Sequence, residues 1–361
     1  MAQAIRVANY NVANLFTRWR FNNLVAPELG ETVDNLQRQG FTYKISKRQR
    51  ELIEALIAEK TAEAGAPLEL RDRQRLENAA YREVLGPEEK RLTAAQIIEL
   101  DADLLCMQEV ENLPTLKAFR SEYLPDAGYT HALVIDGNDP RGIDVAVLSR
   151  WPIIHVRSHQ TLTTPSNPDD DTSPLDRVFA RDCLEVTIEH PAGARLTVFV
   201  NHFKSMIQTR TETRQARVRQ ARAVRAIATA HDGPWLICGD LNDYRSDSTE
   251  RVPVLSAEGK IQRDQAGKII REQVTATCGI LELIDWPDVS DVLDRLPDQS
   301  ERWTHDYRGK RHQLDYMLLG RELATASQGA IPHVPRTGLQ ADAAGQRASD
   351  HCPIVIDLTV P

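Results

Sequence analysis

Short apolar runs that close on a small polar set recur along this chain, and they constrain its fold more than any other feature. The clearest is Trp235-Leu236-Ile237-Cys238-Gly239-Asp240-Leu241-Asn242. It reads as a buried strand over Trp235–Cys238, broken by Gly239, with a carboxylate and a carboxamide two positions apart. Alternation along extended backbone puts Asp240 and Asn242 on one side. An Asp beside an Asn suits a hard, oxygen-seeking cation or a phosphate oxygen. The bland alternative is a strand running into an Asn-Asp turn, since both residues favour turns. The recurrence of the design elsewhere weighs against it. Glu109 stands at the exit of Leu104-Leu105-Cys106-Met107-Gln108, where a carboxylate is costly to bury unless paired or metal-bound. Asn201-His202-Phe203-Lys204-Ser205 ends another run, and Arg141-Gly142-Ile143-Asp144 begins one. Gln313-Leu314-Asp315-Tyr316 and Ser349-Asp350-His351-Cys352-Pro353 open two more.

Strands are predicted at 5–11, 103–110, 131–135, 143–148, 153–157, 183–188, 196–201, 235–238, 314–319 and 353–360. Helical spacing of Leu52, Ile53, Leu56 and Ile57, with Pro87 opening a later helix, predicts a helical insert near 45–101. Residues 17–44, with Arg18-Trp19-Arg20, read as loop, and 163–175, with Asp169-Asp170-Asp171, as an exposed loop. A long helix follows over 209–230, with Val218, Ala221, Val224 and Ile227 on one face. Residues 245–300 read as a polar insert holding one hairpin. Several strands follow one another without helices between them. That predicts two mixed sheets packed face to face with helices outside, in a single domain over 1–361, rather than a doubly wound sheet.

The net charge of −8 gives no support to a generally basic, nucleic-acid-gripping surface, though a local basic face remains open. Cys106, Cys183, Cys238, Cys278 and Cys352 lack close spacing and read as buried free thiols of a reducing compartment. The first residues enter a strand with no apolar leader, and no run is long enough to cross a bilayer. The expectation is a cytoplasmic protein with no membrane partner.

Seven segments together resemble the endonuclease/exonuclease/phosphatase family. They are Asn-Val-Ala-Asn-Leu-Phe (11–16), Gln-Glu-Val (108–110), Arg-Gly-Ile-Asp-Val-Ala (141–146), Asn-His-Phe-Lys-Ser (201–205), Gly-Asp-Leu-Asn-Asp (239–243), Leu-Asp-Tyr (314–316) and Ser-Asp-His-Cys-Pro (349–353). That family includes pancreatic-type deoxyribonuclease, abasic-site endonucleases, sphingomyelinases and inositol polyphosphate 5-phosphatases. The motif forms look most like bacterial nuclease-like members. The resemblance implies a four-layer α/β sandwich and hydrolysis of a phosphoester with Mg²⁺ or Mn²⁺. It implies metal ligation by Glu109, with Asn11 nearby and Asp350 in reach. It implies that Asp240 and Asn242 orient the attacking water and hold the phosphate. His351 is implied as the histidine of the last motif with Asp315 fixing its tautomer, and His202 as the histidine at the phosphate. Asn14, Arg141, Asn201 and Lys204 match as phosphate or substrate contacts.

The expected substrate is a nucleic acid, or else a phosphorylated small molecule such as a nucleotide, lipid or sugar phosphate. An inactive binding module on the same fold is disfavoured by the intact set Glu109, Asp240, Asn242, Asp315 and His351. In the long helix, Arg210, Arg214 and Arg217 fall on one stripe, with Arg222 and Arg225 further on. Lys204, Arg210 and Arg214 are therefore candidates for phosphates flanking the scissile one, set against a solvated face paired with nearby acids.

Overall fold

A computed structural model describes residues 3–15, 58, 61–62, 65, 67, 87–139, 141–206, 209–256, 261–264, 267–307, 309–341 and 345–361. The chain divides into two compact units, residues 1–13 with 89–361, and residues 14–88. The expected loop over 17–44, and nearly all of the helical stretch expected over 45–86, lie outside the described residues.

Eleven strands make two sheets. The first holds β1 (Gln3–Leu15), β2 (Leu104–Val110), β3 (His131–Val134), β4 (Asp144–Ser149) and β11 (Ile354–Val360), in the order β11-β1-β2-β4-β3. The second holds β5 (Ile153–Ser158), β6 (Cys183–Glu189), β7 (Arg195–His202), β8 (Trp235–Asp240), β9 (Val289–Asp291) and β10 (Asp315–Gly320), in the order β9-β10-β8-β7-β6-β5. β8 runs parallel to β7 and antiparallel to β10.

The core follows from strand alternation. Ile5, Val7, Leu104, Cys106, Val145 and Val147 of the first sheet meet Val198, Val200, Leu236, Cys238, Met317 and Leu319 of the second in one cluster. The alternate positions of the second sheet, Phe199, Ile237, Tyr316 and Leu318, face the other way. They pack on Ala221, Val224 and Ala228 of α3 (Arg210–Thr229). This is the expected four-layer arrangement of two sheets with outer helices. All five cysteines are buried free thiols. No helix among the described residues is long and apolar enough to cross a membrane.

α1 (Pro87–Leu100) does more than cover a sheet. Thr93 Oγ1 donates to the Ala348 carbonyl at 2.8 Å, and Gln96 Oε1 accepts from Gly338 N at 2.8 Å. Both bonds pin the loop that leads into Ser349-Asp350-His351. α2 (Leu113–Tyr123) was not expected from apolar periodicity. Its signal was at its start, where Asn112 accepts from Thr115 N and Pro114 sits in the first turn. Residues 245–300 hold the expected hairpin, Ser248–Pro253 with Arg271–Ala276. They also contribute β9, so part of the polar stretch belongs to the second sheet. The loop expected over 163–175 contains one strand of a small hairpin, Thr163–Pro165 with Leu175–Arg177.

Candidate active site

Three neighbouring strands of the second sheet end in register. Asp240 of β8 stands opposite His202 of β7 and Asp315 of β10. Gly239 makes this close approach possible. Its φ is +142°, and a Cβ there would lie 1.9 Å from the Asn201 carbonyl oxygen. β8 therefore continues through the glycine to Asp240, where a break had been expected. Asp240 and Asn242 do not share a side by strand alternation, because the strand has ended. Asn242 lies in the left-handed region (φ 50°) and its N–H donates to Asp240 Oδ1 at 2.8 Å. The turn that looked like the bland alternative is itself the device that holds both side chains. Asn242 Nδ2 also donates to the Phe203 carbonyl at 3.3 Å.

The first sheet presents Asn11 and Glu109. The pairing of β2 with β4 slips between Gln108 and Val110, and Glu109 sits in that bulge with φ 65°. Positive φ is uncommon for a residue with a Cβ, and bulges re-aim side chains next to functional sites. Asn11 Nδ2 lies 3.3 Å from Glu109 Oε1 and 3.1 Å from Asp240 Oδ2. One amide thus joins the carboxylates of the two sheets. Burial pushes the Glu109 carboxyl up, and the nearby Asp350 charge adds to the shift.

The last motif closes the cluster. Ser349 Oγ donates to the Asn11 carbonyl at 2.7 Å and accepts from His351 N at 3.0 Å. His351 Nδ1 is 2.7 Å from Asp315 Oδ2, and its Nε2 is 3.9 Å from Asp240 Oδ2. Burial opposes a charged ring here, but the Asp315 carboxylate, with Asp240 and Asp350 behind it, holds the His351 pKa well above its ordinary value. His202 behaves oppositely. Its Nε2 is 3.6 Å from Asp240 Oδ2, yet burial first, and then Arg181, His351 and Arg141, drive its pKa well below the usual range. The site therefore holds one imidazole that favours the proton and one that stays neutral. Burial, with Asp315 and Glu109, pushes Asp240 up to about 7.

A cationic edge adjoins His202. Arg141 Nη2 meets Asp139 Oδ2 at 2.9 Å, and Arg181 Nε meets the same oxygen at 2.8 Å. Arg181 is 3 % exposed and also donates to the Phe203 carbonyl at 2.9 Å. Lys204 is exposed. Partial burial first, then Arg181 and Arg141, lower its pKa. Arg181 and Asp139 were missed from sequence. The signal for Arg181 was the same as for Arg141, a lone cation just before an apolar strand. His305 was missed too, and its ring lies 4.8 Å from that of His351.

One predicted residue is not brought into this cluster. Asn201 is fully buried, and its Nδ2 donates to the Phe199 carbonyl at 2.9 Å. Strand alternation turns it to the α3 side with Phe199, while His202 faces the other sheet. A phosphate cannot reach it there. Asn14, the last residue but one of β1 with φ 68°, belongs to the second unit.

The basic stripe of α3 is also corrected. Arg210 and Arg217 are 2 % and 0 % exposed and both pair with Asp243. They turn inward because that buried carboxylate draws them, so Arg210 is not a phosphate contact. Arg222 is bound to Glu282 and Asp169.

Among the described residues, no three His, Cys, Asp or Glu side chains converge as a ready metal cage. The oxygen donors Glu109 and Asp350 would fit a hard ion that keeps most of its waters, while Asn11 turns its Nδ2 to Glu109 and its Oδ1 accepts from Ala13 N at 3.1 Å. Burial first, and then the Asp350 charge, raise Glu109, and a bound cation would relieve the second of these.

No curated protein matches the sequence. Among solved structures, an endonuclease/exonuclease/phosphatase family protein from Bacteroides thetaiotaomicron superimposes with a TM-score of 0.54 at 13% identity, covering 100% of this chain and 99% of that one. One from Beutenbergia cavernae gives 0.53 at 16%, covering 99% and 72%. The mannosyl-6-phosphatase Bt3783 of Bacteroides thetaiotaomicron gives 0.51 at 13%, covering 98% and 99%. These likenesses concern the fold. The model of the Endonuclease/Exonuclease/phosphatase family matches residues 78–351, the span that carries Glu109, Asp240, Asp315 and His351. With that match and this fold, the chain belongs to the Endonuclease/Exonuclease/phosphatase family and is a hydrolase of phosphoester bonds.

Proposed function

We propose that this protein is a Mg²⁺- or Mn²⁺-dependent phosphodiesterase, and specifically a nuclease. One observation carries the reading. Asp240 gathers the Asn11 amide, the neutral His202 ring and the Asp315-held His351 ring within 3.1 to 3.9 Å. That is a proton acceptor flanked by two imidazoles of different charge preference, at the mouth between two sheets. Asp240 takes the proton of the attacking water, and Asn242 holds the turn that aims it. His351 is the charged donor to the phosphate in the transition state, with Asp315 fixing its Nδ1. His202 donates to a phosphate oxygen as a neutral ring. Arg181, Arg141 and Lys204 supply positive charge on its side. Glu109 and Asp350, with Asn11 beside them, would hold the ion. When bound, that ion offsets developing negative charge on oxygen.

A second reading, hydrolysis of a phosphorylated small molecule, is favoured by the net charge of −8 and by the inward use of the α3 arginines. A substrate panel separates the two. Plasmid, single-stranded DNA, RNA, bis-p-nitrophenyl phosphate and p-nitrophenyl phosphate are assayed with Mg²⁺, Mn²⁺ and EDTA. The expected result is cleavage of polynucleotide and of the bis ester, abolished by EDTA and restored by either ion. Glu109→Gln should raise the Mg²⁺ concentration needed for half-maximal rate by about tenfold or more, with an unchanged unfolding midpoint. Full activity after metal stripping, or a wild-type Mg²⁺ response in Glu109→Gln, overturns the ligand assignment. Activity confined to p-nitrophenyl phosphate overturns the diesterase.

A further inference from the structure

A cavity of about 570 Å³ lies beside the catalytic cluster, lined by Trp303, Arg311, Arg336 and Arg347 with Glu301 and Asp306. In a chain of net charge −8, the three arginines and two carboxylates of this lining leave it with an excess of one positive charge. Trp303 organises two of them. The Arg336 guanidinium lies 3.8 Å from the indole centroid and that of Arg311 lies 4.4 Å from it. Stacking fixes both guanidiniums, and Arg336 already donates from Nη1 to the Trp303 carbonyl at 2.5 Å and from Nη2 to the Glu301 carbonyl at 2.7 Å, so the donors for a ligand come from Arg311 and Arg347. Each arginine has one carboxylate at the long end of ion-pair distance. Arg311 reaches Asp306 at 3.4 Å, Arg336 reaches Glu301 at 3.6 Å, and Arg347 reaches Asp350 at 3.8 Å. Arg311 and Arg347 are 57% and 46% exposed, so both can turn to a ligand.

The cavity is tied to the site at two places. Cys352 N donates to the Thr304 carbonyl at 2.6 Å, and His305 bridges His351 across the backbone. That bonding sets the Trp303 wall directly against the last motif. On the other edge, Arg347 stands three residues before Asp350 and beside its carboxylate. A substrate whose scissile phosphate sits at Asp240 and His351 has this hollow as its neighbour.

We propose that the Trp303–Arg311–Arg336–Arg347 cavity receives a second phosphate of a polynucleotide strand, next to the one being cleaved. This rests on the diesterase reading above. It also assigns to the cavity a flanking contact that the buried Arg210 does not provide. Arginine forks match phosphate oxygens, and each phosphate neutralised releases counterions. Salt dependence is therefore the diagnostic readout.

The test compares Arg311→Ala, Arg347→Ala and the double variant with wild type on single-stranded DNA and on bis-p-nitrophenyl phosphate, across a salt series. Neither residue belongs to the catalytic cluster, and both are surface side chains. The expected result is a loss of about tenfold or more in kcat/KM on DNA for the double variant. The slope of log activity against log salt should flatten by about 0.7 in the double variant, the share of the one phosphate lost. Turnover of the bis ester, which carries one phosphate, should stay within about twofold, and for Arg311→Ala, which does not touch Asp350, with the same Mg²⁺ response. An equal loss on both substrates, or unchanged DNA cleavage and slope, overturns the second-phosphate subsite and leaves the diesterase standing. A wild type that cleaves the bis ester but no polynucleotide also overturns it. A wild type inactive on both diesters fails the diesterase reading first, and is told apart by that.

Discussion

Asp240→Ala is expected to lower kcat on bis-p-nitrophenyl phosphate by about two orders of magnitude or more, at saturating Mg²⁺. The argument is positional. Asp240 is the single atom group that Asn11, His202, His351 and the Asn242 backbone all address. Its carboxyl, pushed up to about 7 by burial and its neighbouring acids, is poised to accept a proton near neutral pH. His351→Ala should cost a similar factor, because the ring carries charge toward the phosphate in the transition state. Asp315→Asn should cost less. It acts through the 2.7 Å bond to His351 Nδ1, and an amide still fills the space. Asp315 is thus a positioning residue, and its readout is a graded loss in kcat with KM little changed. A defect in Asp240→Ala or His351→Ala confined to KM would argue that these groups bind substrate in the ground state only. A harmless Asp315→Asn beside a severe His351→Ala would show that the couple does not serve turnover.

The sheets were legible because strand alternation writes itself into the sequence. Val145 and Val147, or Leu236 and Cys238, face a second sheet, and the alternate residues of the second sheet, such as Ile237, face a helix. The site was legible as a set of polar residues at strand ends. Its internal geometry was not. Asp240 and Asn242 share the site through a left-handed turn that alternation does not describe. Glu109 reaches it from a bulge, which depends on register between strands far apart in sequence. Asn201 shows the limit of reading a motif as a block. Next to His202 in sequence, it points to the opposite face. Arg181 shows the converse. No motif marked it, yet the Asp139 carboxylate and the Phe203 carbonyl place its guanidinium beside His202. The arginines of α3 were misplaced for a different reason. A helical wheel orders side chains around an axis but does not know where a buried carboxylate waits.

Asp243→Asn should destabilise the protein by about 3–5 kcal/mol, the usual cost of removing one partner from a buried ion pair. Asp243 is fully buried between Arg217, also fully buried, and Arg210, 2 % exposed. Its Oδ2 accepts from Arg217 Nε and from Gly279 N, both at 2.8 Å, and its Oδ1 accepts from Arg210 Nε. The arginines then extend the network to the backbone. Arg210 donates to the Tyr244 carbonyl at 2.6 Å and the Ala276 carbonyl at 2.9 Å, and Arg217 to the Arg210 carbonyl at 2.7 Å. Neutralising Asp243 leaves two buried cations facing an amide, and neither can shed its proton at ordinary pH. Urea unfolding followed by fluorescence gives the free energy, with an unchanged m-value as the sign that the same fold is being lost. Arg217→Met in the Asp243→Asn background removes one of the stranded charges. The double variant should therefore lose less than the sum of the two single losses, by about 1 kcal/mol or more. A loss below about 1 kcal/mol in Asp243→Asn, or strict additivity in the cycle, would show that water reaches the cluster and screens it. The network also explains why Asp243 stands directly after Asn242. It anchors α3, the loop over 244–248 and the strand end at Ala276 to the turn that aims Asp240, so the site rests on a buried charge rather than on the helix's outer face.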